Sequence, residues 1–146
     1  MSWMYRIFQR DNNETYVKSA IPIIPANTAS GNTIMGQDGI IVRDIADGTT
    51  ATQDVVLPFK CRVIDAWFVC VGATAPSSGD TVQLLYSTNA ISAAVAMGTT
   101  ARATVRFTIM DETYTTIAAG GTLRITPVAG GNNNACSVYV RVLPVA

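Results

Sequence analysis

The segment Lys60-Cys61-Arg62-Val63-Ile64-Asp65-Ala66-Trp67-Phe68-Val69-Cys70-Val71 decides the fold. Side chains alternate across a strand with a period of two, so Ile64, Ala66, Phe68 and Cys70 share one face. Val63, Trp67, Val69 and Val71 share the other. Both faces are apolar, which predicts a strand that is central or covered on its outer side. Asp65 breaks this pattern, sitting between Val63 and Trp67. A polar partner from a neighbouring strand or subunit is the expected reason; a carboxylic acid with a raised pKa is the alternative. Cys61 and Cys70 lie nine residues apart, hence on opposite faces and about 30 Å from each other, too far to bridge. With Cys136 they read as buried free thiols, since no CxxC pair or metal-ligand spacing is present.

The period of two extends in both directions. Gly39-Ile40-Ile41-Val42-Arg43-Asp44 and Asp54-Val55-Val56-Leu57 read as strands before the central one. After the turn-forming residues 72–79, Val82, Leu84 and Tyr86 mark another strand. Residues 88–90 read as a turn, and 91–96 as a small-residue strand or short helix. Ala101, Ala103, Val105, Phe107 and Ile109 alternate with Arg102, Thr104, Arg106 and Thr108, the signature of a half-buried antiparallel strand. Residues 111–117 suit one helical turn ended by Gly120-Gly121. Leu123 and Ile125 then point inward with Arg124 outward. The last strand turns Cys136, Val138, Val140 and Val142 inward, and Ser137, Tyr139 and Arg141 outward. Seven to eight short strands without a long helix predict an all-β antiparallel β-sandwich over residues 37–146, with jelly-roll topology.

Residues 1–36 differ in texture. Four of the eleven aromatics, Trp3, Tyr5, Phe8 and Tyr16, fall in the first sixteen positions. The prolines of Ile21-Pro22-Ile23-Ile24-Pro25 disfavour helix and central strand alike, and a small polar linker follows. This is the pattern of an extended arm that either docks on a partner or folds back on its own domain. No apolar stretch ends in a small-residue cleavage site, and none approaches the roughly 18–20 residues of a membrane span, so a cytosolic, soluble product is expected.

Composition narrows the chemistry. Of 146 residues only 14% are charged, against a usual share of about 25%; lysine plus arginine balance aspartate plus glutamate at ten each, and histidine is absent. Imidazole-based nucleophile activation and histidine-ligated zinc are thereby excluded. Neutrality argues against nucleic acid as a partner. Low charge with 49% hydrophobic residues predicts outer surface hidden in an assembly.

The remaining motifs are weak. Asp111 and Glu112 point apart and suit a turn cap. Asp44, Asp47 and Asp54 flank a turn, where weak cation binding stays open although no DxDxDG loop is present. There is no GxGxxG or GxxxxGK[ST], and no cofactor is expected. The arginines Arg102, Arg106, Arg124 and Arg141 face outward among Thr and Ser, as solvated strand faces or as partners of an acidic surface. They do not align with aromatics on one strand, which disfavours RNA.

The segment Leu57-Pro58-Phe59-Lys60-Cys61-Arg62-Val63-Ile64-Asp65-Ala66-Trp67-Phe68-Val69, continued by Gly79-Asp80-Thr81-Val82, resembles the small β-sandwich decoration or cement proteins of tailed bacteriophages. So do Thr116-Ile117-Ala118-Ala119-Gly120-Gly121-Thr122-Leu123-Arg124-Ile125-Thr126 and Val138-Tyr139-Val140-Arg141-Val142. The resemblance covers residues 55–146 and rests on strand-and-turn patterns. It implies a non-enzymatic virion protein on the outer capsid surface, assembled in the host cytoplasm, bridging neighbouring major capsid proteins as a trimer or dimer, with the trimer favoured. Expected anchors are Trp3, Tyr5, Phe8, Ile23 and Ile24 of the arm. Trp67, Arg124, Tyr139 and Arg141 are the expected capsid or subunit contacts on the sandwich. The alternative is a tail-fibre or lectin-like sandwich that binds a host-surface glycan through exposed aromatics and Asn or Asp in one loop cluster, with Asn132 to Asn134 and Tyr86 as candidates. A small glycosidase would need two facing carboxylates, for which nothing in the sequence speaks.

Overall fold

The computed structural model describes residues 33–35, 39–72, 74–108, 110–131 and 134–146. Eleven antiparallel strands form two sheets among these residues, with no helix. The larger sheet holds β1 (Thr33–Met35), β2 (Ile40–Ile45), β11 (Cys136–Pro144), β4 (Cys61–Cys70) and β8 (Thr104–Arg106) in that order, with β9 (Thr116–Ile117) also paired to β4. The smaller sheet runs β3 (Gln53–Val56), β10 (Thr122–Val128), β5 (Thr81–Tyr86) and β6 (Asn89–Ala90), with β7 (Val95–Ala96) paired to β5. The chain crosses between sheets six times, from β2 to β3, β3 to β4, β4 to β5, β7 to β8, β9 to β10 and β10 to β11. As a result β11 lies between β2 and β4, while β10 lies between β3 and β5. This wrapping order is that of a jelly roll, and the all-β sandwich expected from the sequence is the fold.

Inward residues of both sheets build one core. Ile41, Val63, Phe68, Val138, Val140 and Val142 of the larger sheet meet Val55, Val82, Leu84, Leu123 and Ile125 of the smaller one. Phe68 and Phe107 contribute an edge-to-face pair with centroids 5.4 Å apart. Arg43 also points inward, its guanidinium donating to the Gln53 Oε1 at 2.7 Å, so a charged side chain lies between the layers. Burial pulls the Arg43 pKa down, and nearby Asp44 opposes that shift.

Strict alternation fails once in β4, and this corrects the expected faces. Asp65 opposes Arg141 and Val63 opposes Val142, so Ile64 is the extra residue of a β-bulge. One inserted residue inverts the parity on its N-terminal side. Val63 is therefore buried and Ile64 exposed, the reverse of the expectation. For the same reason Cys61 and Cys70 share the core face instead of lying on opposite faces. All three cysteines are buried and free, as expected.

Other corrections are local. Residues 89–90 are β6 and not part of a turn; the reversal sits at Ser87, whose φ is 59°. Among the described residues of the long strand predicted around 101–109, only Thr104–Arg106 is paired as a strand. Residues 111–115 form turns without a helix, and Asp111 Oδ1 caps them by accepting the Thr113 N–H. β1 adds a strand within the span assigned to the arm.

The loops at the β4–β5 end of the sandwich are pinned by two buried polar side chains. Asp80 accepts N–H groups from Ser77, at 2.6 Å, and from Gly130, joining the β4–β5 and β10–β11 loops. Asn134 ties the β10–β11 loop to the β2–β3 loop: its Oδ1 accepts the Gly48 N–H and its Nδ2 donates to the Thr49 carbonyl, both at 2.7 Å. Replacing Asn134 by alanine removes both part-buried hydrogen bonds and leaves a hole where its buried side chain sat. Urea unfolding of Asn134→Ala is expected to show a loss of about 2–3 kcal/mol with an unchanged m-value.

Candidate functional site

The outward face of the larger sheet carries a continuous row of side chains set by strand register. Val42 on β2 lies beside Tyr139 on β11, Tyr139 beside Trp67 on β4, and Trp67 beside Arg106 on β8. The Trp67 and Tyr139 rings stack with centroids 5.4 Å apart and planes within 5°. The Arg106 guanidinium lies 5.6 Å from the Trp67 ring centroid. Since β11 and β8 flank β4 on opposite sides, the indole stands between Tyr139 and Arg106, with both faces occupied and an edge presented outward.

Asp65 fixes Arg106 in place. Arg106 NH1 donates to both carboxylate oxygens, at 3.2 and 3.1 Å, and NH2 lies 3.0 Å from Oδ2. The isolated acid on β4 thus has its polar partner on the neighbouring strand. This pair is solvent-exposed and contributes under about 1 kcal/mol to stability, so it orients the arginine more than it holds the fold. The next row contains Ile40, Arg141 and Asp65, and beyond it Leu143 lies beside Arg62. Arg62 pairs with Glu112, whereas Arg141 has no ion-pair partner among the described residues. On the opposite side of the aromatic row, the Ser137 hydroxyl donates to Asp44 at 2.7 Å. Ile64 and Leu143 are 43% and 50% exposed, adding apolar area to the same face.

Of the residues singled out in the sequence, Trp67, Tyr139 and Arg141 come together here. Arg124 does not. It lies on the outer face of the smaller sheet, gripping Asp54 through two 2.8 Å hydrogen bonds. The side-chain hydrogen bond from Arg124 holds the Asp54 carboxyl below its ordinary value. Trp3, Tyr5, Phe8, Ile23 and Ile24 lie outside the described residues, as do Asn132 and Asn133. Of the loop cluster considered for glycan binding, only Asn134 and Tyr86 are among the described residues. Asn134 is buried and occupied by the β2–β3 loop, and Tyr86 sits at the far end of β5 from it. Asp47 accepts the Asn134 N–H, so Asp44, Asp47 and Asp54 each have a protein partner. No group of three metal-ligating side chains occurs among the described residues.

Sequence reasoning missed Arg106, Ile64 and Leu143 as members of this face. Tyr139 and Arg141 share one strand, but their alignment with Trp67 and Arg106 is set by register across three. The out-of-pattern Asp65 was the available signal for Arg106, while Ile64 was hidden by the bulge. No family model, curated protein or solved structure matches the chain. What the face itself can do is bind: Trp, Tyr and Arg with peripheral apolar and charged groups are the composition of protein-interface hot spots.

Proposed function

We propose that this chain is a virion structural protein, a capsid decoration protein that binds the outside of a tailed-phage head and bridges neighbouring major capsid proteins. The observation that carries the reading is the Tyr139–Trp67–Arg106 row on the outward face of the larger sheet. Recognition of a sugar ring or an unstacked base uses a free aromatic face. Trp67 offers none, because Tyr139 and Arg106 cover both sides of its indole. A rigid aromatic edge ringed by arginines, Ile64 and Leu143 suits a protein groove with acidic margins. The sequence likeness over residues 55–146 supports the phage setting, and the low charge of the chain supports burial in an assembly.

The test is co-sedimentation with empty, expanded heads of the phage that encodes the chain. The full-length protein is expected to pellet with heads. The double variant Trp67→Ala/Tyr139→Ala is expected to bind at least about 30-fold more weakly, the loss of one hot spot of about 2 kcal/mol. A full-length protein that stays in the supernatant overturns the decoration role. A folded double variant that binds like the parent overturns the assignment of this face. Removing residues 1–32 separately reads the contribution of Trp3, Tyr5, Phe8, Ile23 and Ile24.

A further inference from the structure

Cys70 and Cys136 are direct cross-strand neighbours in the central β4–β11 pair. The Cys70 N–H is directed away from β11 to the Ala103 carbonyl, while the adjacent Val71 N–H bonds to the Ala135 carbonyl. Residues 70 and 136 therefore form a non-hydrogen-bonded pair, the closer of the two antiparallel pairings, with Cα atoms about 4.5 Å apart. Both side chains point into the core on the same side of the sheet. That separation falls within the range of about 4.4–6.8 Å spanned by disulfides. Cys61 has no such neighbour: its register partners are Pro144 and Ile117.

We propose that Cys70 and Cys136 are a latent disulfide, which a peroxide closes into an intramolecular bridge between β4 and β11 while Cys61 remains a thiol. In the first step one thiol, as its thiolate, attacks a peroxide oxygen. The O–O bond breaks, a sulfenic acid forms, and the departing hydroxide takes up the released proton as water. In the second step the other sulfur attacks the sulfenic sulfur, the S–O bond breaks, and a second water leaves with the thiol proton. Two thiols are oxidised to one disulfide as one peroxide is reduced to two waters.

Burial sets the rate. It raises the Cys70 value and pushes Cys136 up to about 12, with the neighbouring Cys70 adding to the shift at Cys136. Thiolate is scarce in the closed fold, so the reaction waits on opening at the strand ends. Both cysteines occupy such ends: Cys70 closes β4 and Cys136 opens β11. A small neutral oxidant is the appropriate reagent. The bridge would sit three residues from Trp67 on one strand and three from Tyr139 on the other, bracing the frame of the outward face.

The experiment treats the full-length protein with hydrogen peroxide, quenches, denatures, counts thiols and maps tryptic peptides without reduction. Two of the three thiols are expected to disappear. One linked species should join peptides 63–102 and 125–141, with Cys61 recovered as a free thiol in the dipeptide Cys61-Arg62. The Tm should rise and fall back on reduction, as cross-linking restricts the unfolded chain. The Cys136→Ser variant should yield no linked peptide. Three thiols surviving a dose that oxidises them fully in urea would overturn the proposal, as would sulfinic acid without a bridge, a link through Cys61, or a link between two chains.

Discussion

Replacing Asp80 by asparagine is expected to lower the unfolding free energy at pH 7 by about 3 kcal/mol. Both carboxylate oxygens accept backbone N–H groups, Oδ2 from Ser77 and Oδ1 from Gly130. An amide can offer only one oxygen, so its NH2 must face a donor in a site closed to water. Relaxation is blocked because the loops touch through glycine: a Cβ at Gly130 would collide with the Gly79 backbone. Burial by itself would raise the Asp80 pKa, but the N–H groups of Ser77, Gly130 and Gly131 hold it below its ordinary value of 3.8. A carboxylate whose folded value is depressed adds stability that is fully present above its unfolded value and is lost as pH falls through the folded one. The parent protein should therefore lose stability on acidification below pH 3.8, with Asp54 contributing in the same direction. In Asp80→Asn the Asp80 share of that loss should vanish, so the two urea midpoints converge at low pH. A constant gap between them from pH 7 to pH 2 would show that Asp80 acts through packing and not through its charge.

The strands were legible because a jelly roll is built from half-buried strands, whose alternation is the most direct pattern a sequence can show. Cys136, Val138, Val140 and Val142 point inward as alternation requires. The layer order was legible as a class but not in detail, because pairing β11 with β2 joins residues about a hundred positions apart and leaves no local trace. Arg43 shows a different limit. Alternation assigns it the face of Ile41 and Ile45, and charge assigns it to solvent; a glutamine reaching over from the opposite sheet helps the first prevail. The candidate face was half legible. Outward Trp67, Tyr139 and Arg141 follow from parity, but their union with Arg106 depends on register across β4 and β8.

The bulge in β4 makes two adjacent positions respond oppositely to one substitution, and in the reverse sense to plain alternation. Val63→Asp is expected to unfold the protein or to cost more than about 4 kcal/mol, while Ile64→Asp is expected to cost under about 1 kcal/mol. Val63 is 2% exposed, faces the core beside Val142, and donates its own N–H to the Thr115 carbonyl at 2.9 Å. The buried Arg43 donates to Gln53 and lies level with Val138 and Phe68, several residues along the sheet, so a carboxylate at 63 must remain charged without solvent or take up a proton. Either course consumes a large part of the 5–15 kcal/mol that typically separates folded from unfolded domains. Ile64 sits where the ladder has slipped by one residue, and its side chain reaches water. Its replacement forfeits only strand preference and a little surface packing. Circular dichroism with urea titration of the two variants decides the register: equal damage at both positions would mean that Ile64 is covered, and greater damage at Ile64 would restore strict alternation and remove the bulge. Because Cys61 shares the core face with Cys70 only through that inverted parity, the same pair of variants also tests whether both thiols belong to one core.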